Sequence, residues 1–207
     1  MKKTVLCFLI MFTFGGWAQK NKSKVVSNKN NILATIDNIS VQILTDKVQN
    51  RVVLFVKNLQ KTDTLEVKKV DKTTFKPVDF TIKSFFVQGE KLYHMYWKEE
   101  TKIETKFKKE LIVVTENQLW NVEQKLQLLE NTHKLMNTKE TLFLDKNKTA
   151  SQEVEKNRNE GFEFTLNADG TFVLRTKTQN NTYVYNKKTS AYEIKTSSKV
   201  VPSKKKK

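Results

Sequence analysis

The chain has 207 residues, 38% of them apolar, a formal net charge of +16 and a single cysteine, Cys7. That length supports a sizeable core in one domain or two small ones, while one cysteine excludes an intrachain disulfide and a Cys-cluster metal site. The charge is mostly peripheral, with +2 on residues 1–18, +4 on 19–31 and +5 on 199–207, leaving +5 on 32–198.

The basic residues are 35 Lys and only 3 Arg. Nucleic-acid readers favour Arg for bidentate base and phosphate contacts, so a nucleic-acid partner is excluded. Met1–Ala18, MKKTVLCFLIMFTFGGWA, combines two lysines, a short apolar run and a small-x-small ending, the pattern of a secretory signal peptide cut before Gln19. It resembles the export signals of Bacteroidota proteins, which mature at a Gln after Ala, and that resemblance implies a periplasmic, secreted or outer-membrane-peripheral destination. Cys7 follows bulky Leu6 inside the apolar run, so it is no lipoprotein cysteine. Beyond the signal the sequence holds no further stretch long and apolar enough to span a membrane. Residues 19–31, QKNKSKVVSNKNN, read as a solvated basic segment.

Strand patterns begin at 32. Ile39, Val41 and Ile43 alternate with polar residues, Arg51–Lys57 is apolar on both faces like a central strand, and Asp63–Val70 is a weaker, charged strand. Asp63-Thr64-Leu65 also resembles the short Asp-Thr-aliphatic pattern of Bacteroidota O-glycosylation sites.

Val78–Val87 and Leu92–Trp97 read as a hairpin turning at Gly89-Glu90, with Phe86 facing Tyr93, Ser84 facing Met95 and Ile82 facing Trp97. The opposite face carries Phe85 across from His94, then Val87, Leu92 and Tyr96, and is unusually aromatic for a face in water. Either another element covers it or it binds something. Phe85, His94, Tyr96 and Trp97 are therefore the candidate ligand-binding residues.

Lys102–Phe107 and Leu111–Val114 continue the strands through a Lys108–Glu110 connection. Leu119, Val122, Leu126, Leu129, His133 and Met136 then recur at spacings of three and four after a Thr115/Gln118 capping pair, which predicts an amphipathic helix over about 116–137 packed on a sheet. The same spacing also suits a short coiled coil. Leu142–Leu144 suggests a brief strand, and 145–160 reads as a polar loop. Residues 161–197 read as a four-stranded antiparallel meander with turns at Asn167–Gly170 and Gln179–Asn181, and 198–207 as a basic tail. The phrase Phe162–Phe172, FEFTLNADGTF, resembles strand–turn–strand segments of exported β-barrels and lipocalin-like domains.

Most catalytic templates lack their residues. His94 and His133, the only histidines, have no metal-ligand spacing, and no HExxH or GxSxG occurs. Asn167–Gly170 lacks the further carboxylates of a calcium loop. No catalytic residue, metal or cofactor is assigned. The expectation is an α+β fold, mainly antiparallel β, with about ten strands in a curved sheet or barrel-like arrangement. The functional expectation is an exported, non-enzymatic cell-envelope protein that binds through an aromatic β face. Lys204, Lys205, Lys206 and Lys207 would contact an anionic surface, whether lipid or polysaccharide, and another envelope protein is the third partner class. A lipocalin-like carrier of a small hydrophobic ligand would instead need an open cavity among Phe80, Ile82, Phe86, Tyr93 and Trp97. A glycan-active hydrolase would need two carboxylates converging in a cleft.

Overall fold

A computed structural model describes residues 31–45, 50–57, 62–71 and 75–199. The expected signal peptide, nearly all of the basic 19–31 segment and Lys204–Lys207 lie outside these residues. The described chain forms thirteen strands in three antiparallel sheets, each strand pairing with its sequence neighbour. Mainly antiparallel β is thus the observed class, in open sheets with no closed barrel.

The first sheet comprises β1 (Ile32–Ile36), β2 (Ile39–Thr45), β3 (Asn50–Lys57) and β4 (Thr62–Val70). Its β3 is buried on both faces from Val52 to Val56, as its continuous apolar run demands. The second sheet comprises β5 (Pro77–Val87), β6 (Glu90–Glu104), β7 (Lys108–Asn121), β8 (Leu126–Phe143) and β9 (Ser151–Gly161). The third comprises β10 (Glu163–Leu166), β11 (Phe172–Arg175), β12 (Gln179–Asn186) and β13 (Ala191–Lys199).

The first and third sheets cover opposite faces of the second. Ile39, Val41, Leu54 and Val67 of the first sheet pack on Ile82, Tyr93, Met95, Trp97 and Trp120 of the second. On the other face Val87, Leu92 and Leu119 meet Phe172, Leu174 and Tyr185. The chain turns from β9 into β10 through Gly161, whose φ is +83°. A Cβ there would stand 2.3 Å from the Thr132 carbonyl oxygen, so the crossing needs glycine.

No helix occurs among the described residues, and the predicted 116–137 helix is replaced by the β7–β8 hairpin. Its apolar stripe divides between two sheet faces. Leu119 pairs with Leu129 toward the third sheet, whereas Trp120, one residue on, is buried against the first. A helix would have left Trp120 off the stripe. The turn at 122–125 lacks Gly and Pro; Asn121 Oδ1 accepts the Gln124 N–H at 3.1 Å, and Lys125 takes φ +58°. A register shift at Leu119/Trp120 lets both Leu128 and Leu129 face the third sheet, which mimics helical spacing.

Other boundaries also move. Residues 151–160, expected within the polar loop, form β9 together with Gly161, an edge strand held to β8 by its backbone ladder and by pairs such as Asn137–Asn157 at 2.7 Å. Lys108–Glu110 lies inside β7, with the turn at Thr105–Phe107. The meander has its four strands, but Gln179–Asn181 belongs to β12 and the preceding turn is 176–178. The β5–β6 hairpin turns at Gln88-Gly89, both at positive φ, so Phe86 faces Lys91, Ser84 faces Tyr93 and Phe85 faces Leu92. This slip leaves the division into two faces intact from Phe80 to Trp97, and a bulge at Asp79 (φ +55°) turns Val78 to the opposite face.

Candidate functional site

The anticipated aromatic face is largely a packed interface. Phe85 lies among the side chains where the second and third sheets meet. His94 stands 5.1 Å from the Phe164 ring, its Nε2 3.0 Å from Asn117 Oδ1. Burial is the main cause that pulls the His94 pKa below its usual value, and nearby Lys83 adds to it against the Asn117 hydrogen bond. Tyr96 is half-buried on the same face, with Lys98 Nζ 5.9 Å from its ring. Trp97 belongs to the other face and is 0% exposed, stacked on Phe80 at 5.3 Å. The four residues are close in sequence but are split between two cores. The third sheet covers Phe85 and His94.

Between the first and second sheets lies a partly buried polar node. Lys68 Nζ of β4 donates to Glu116 Oε1 at 2.8 Å and to Glu99 Oε1 at 3.2 Å, and stands 5.6 Å from the Trp97 ring. Thr132 Oγ1 donates to Glu116 Oε2 at 2.7 Å. Burial alone would lower the Lys68 pKa, but the two carboxylates outweigh it and the net shift is upward. Two carboxylates do converge here. The ammonium bridges both carboxylates, Trp97 Nε1 and the Thr132 hydroxyl donate to them as well, and the Glu116 side chain is 4% exposed, so the arrangement suits a hydrogen-bonded ion-pair network that ties two sheets together. Among the described residues no group of three or more His, Cys, Asp or Glu side chains is placed to hold a metal ion, and no helix is long and apolar enough to cross a membrane.

The surface that remains open is the far half of the second sheet. Strands β6, β7 and β8 run beyond the flanking sheets, and from Glu100 to Glu104 and Lys108 to Thr115 they are mostly exposed or half-exposed. Strand alternation sets Leu111, Val113 and Leu135 side by side on the face that carries the third sheet. They floor a groove of about 430 Å³ bounded by Asn137, Asn157, Asn159 and, from the 176–178 turn, Lys177. Leu135 is 44% exposed, so its apolar surface faces water. The amides are oriented in place. Asn137 Nδ2 donates to Asn157 Oδ1 at 2.7 Å and to Glu155 Oε1 at 2.8 Å, and Asn159 Oδ1 lies 2.6 Å from His133 Nε2.

A second space, of about 260 Å³, lies between the first sheet and the 122–125 turn, with Asn38, Val56, Asp63, Tyr93 and Lys125 in its wall. The Lys125–Asp63 ion pair at 3.1 Å closes one side of it.

The groove was missed because its floor draws one residue from the helix-like stretch and two from an ordinary strand pattern. The readable signal was Asn157-Arg158-Asn159, where a spacing of two sets both amides on one face of a strand. Comparison with family models, with curated proteins and with solved structures returns no significant match.

Proposed function

We propose that this protein is an exported, non-catalytic binding module of the cell envelope that holds an extended polysaccharide along the projecting half of its second sheet. The observation that carries this reading is the groove itself: exposed Leu111 and Leu135 and half-buried Val113 beside a row of pre-oriented asparagine amides. The aliphatic floor suits the C–H faces of sugar rings, and each amide offers both a donor and an acceptor to hydroxyl groups. Lys177 at the rim favours acidic sugars. The carrier alternative loses support because Ile82, Tyr93 and Trp97 are buried against one another and their neighbours, with Phe80 stacked on Trp97. The hydrolase alternative loses support because the converging carboxylates hold Lys68 between them. Export rests on the Met1–Ala18 pattern, and Lys204–Lys207 would add long-range attraction to an anionic envelope.

The test is titration calorimetry of the protein with acidic and neutral envelope polysaccharides. Binding is expected for the acidic set, with Asn157→Ala weakening it by about tenfold, the loss of one to two hydrogen bonds. Equal binding by Asn157→Ala and Leu135→Thr would place recognition elsewhere.

A further inference from the structure

At its outer end the second sheet finishes in two turns, Thr105–Phe107 and 144–150, brought together by the Thr141 N–H donating to the Phe107 carbonyl at 2.8 Å. A strand of β7's 14 residues spans about 45 Å, so this tip stands well away from the 88–89 and 122–125 turns at the packed end. Two features coincide there. Phe107 and Phe143 meet edge to face at 5.0 Å, and among the described residues Phe107 is 40% and Leu144 beside it 65% exposed. Over residues 105–109 and 144–150 the chain carries five lysines against one acid, Asp145. That carboxylate accepts from the Thr149 N–H at 3.0 Å, the Thr149 hydroxyl at 2.6 Å and the Ala150 N–H at 2.8 Å, which ties it into its own turn. Lys108 and Lys109 pair with Glu110 and Glu104. Among the described residues Lys106, Lys146 and Lys148 have no carboxylate partner; Lys106 and Lys148 lie 5.2 and 5.4 Å from the Phe107 and Phe143 rings.

We infer that this tip docks on an anionic lipid bilayer, with Phe107 and Leu144 entering the headgroup boundary and Lys106, Lys146 and Lys148 resting on lipid phosphates. A polysaccharide offers no apolar phase to receive an exposed leucine, whereas a bilayer offers one directly beneath a layer of negative charge. The aromatic pair provides a stiff wedge, and the lysines ring it where phosphates would lie. Each unpaired lysine raises vesicle affinity by about fivefold at low salt, an effect that shrinks as salt screens it. The tip and the groove are separate surfaces, so this inference stands whatever the groove holds.

The experiment is fluorescence of the full chain in a Cys7→Ser background, labelled with a polarity-sensitive dye at Leu144→Cys. A matching label at Leu126→Cys, also exposed but at the start of β8 at the packed end, is the control. Vesicles of phosphatidylcholine with about 30% phosphatidylglycerol should blue-shift the dye at 144 and leave 126 unchanged. Pure phosphatidylcholine should shift neither dye. Lys106→Glu, Lys146→Glu and Lys148→Glu together should weaken the response at 144 by about 100-fold or more, with unchanged circular dichroism showing that the fold persists. Removal of Lys204–Lys207 should leave the shift at 144 in place. Equal shifts at both positions, a shift with neutral vesicles or an unchanged response in the triple variant overturns the proposal. So does a lipid-free, concentration-dependent shift, which would assign the tip to a second copy of this chain. Loss of polysaccharide binding with vesicle insertion intact would fail the groove reading alone.

Discussion

Strands β6, β7 and β8 each pass through two environments, and the contrast between the halves of this one sheet organises the molecule. In the covered half, Tyr93–Trp97 and Gln118–Trp120 meet a sheet on either side, and even the polar Gln118 is fully buried, accepting from Trp120 Nε1 at 2.9 Å. In the projecting half the same backbone ladder continues, yet the side-chain pairs become exposed and ionic, such as Lys109–Glu104 at 2.7 Å and Lys139–Glu155 at 3.6 Å. Exposed pairs of that kind are screened by water and add little to stability. Rigidity in the projecting half therefore comes from its anchorage in the covered half, and its side chains are free to serve recognition. Charged β9, along its edge, also discourages edge-to-edge pairing with other chains.

Substitutions in the two halves should separate cleanly. The largest effect is expected from Trp97→Ala in the covered half, a loss of about 4 kcal/mol in urea unfolding from the cavity left beneath Phe80 and Lys68. A loss below about 1 kcal/mol would mean that Trp97 is not core. Gly161→Ala comes next, at about 3 kcal/mol, because its Cβ meets the Thr132 carbonyl at 2.3 Å in a positive-φ conformation. Its loss should appear first as faster amide exchange in β10–β13, where the third sheet peels from the second.

His94 should give a smaller, pH-dependent effect. Burial favours its neutral form in the folded state, so the unfolded chain binds the proton first as pH falls. Stability is full above about pH 6.5 and declines below it until the folded imidazole also titrates. His94→Gln should flatten that part of the stability–pH curve, and an unchanged slope would assign the acid sensitivity to another group.

Much of the covered half was legible because its residues alternate over runs bounded by turn residues. The face division of Phe80–Trp97 survived even a wrong register, since a two-residue slip returns a side chain to its original face, whereas a bulge between Val78 and Thr81 carries Val78 to the Lys98 side. The 116–137 stretch misled because Leu, Gln, Glu and Lys are good helix formers. Only partners distant in sequence, Val67 and Phe75 on one side and Phe172 and Leu174 on the other, give Trp120 and Leu119 opposite burial. Strand β9 was illegible for a different reason. Its SQEVEKNRNEG sequence has almost no apolar residue, and its structure comes from pairing along β8, which no local pattern encodes. The groove inherited both difficulties, for it is built where those two misread segments meet.

The division of labour within the second sheet is tested most directly by Leu111→Thr/Leu135→Thr, which keeps strand propensity while removing the aliphatic floor. One sample would be melted and titrated with acidic polysaccharide. The account predicts a melting temperature within about 4 °C of the parent together with at least about tenfold weaker binding. A large drop in melting temperature with binding intact would mean that the projecting half is core and that recognition lies elsewhere.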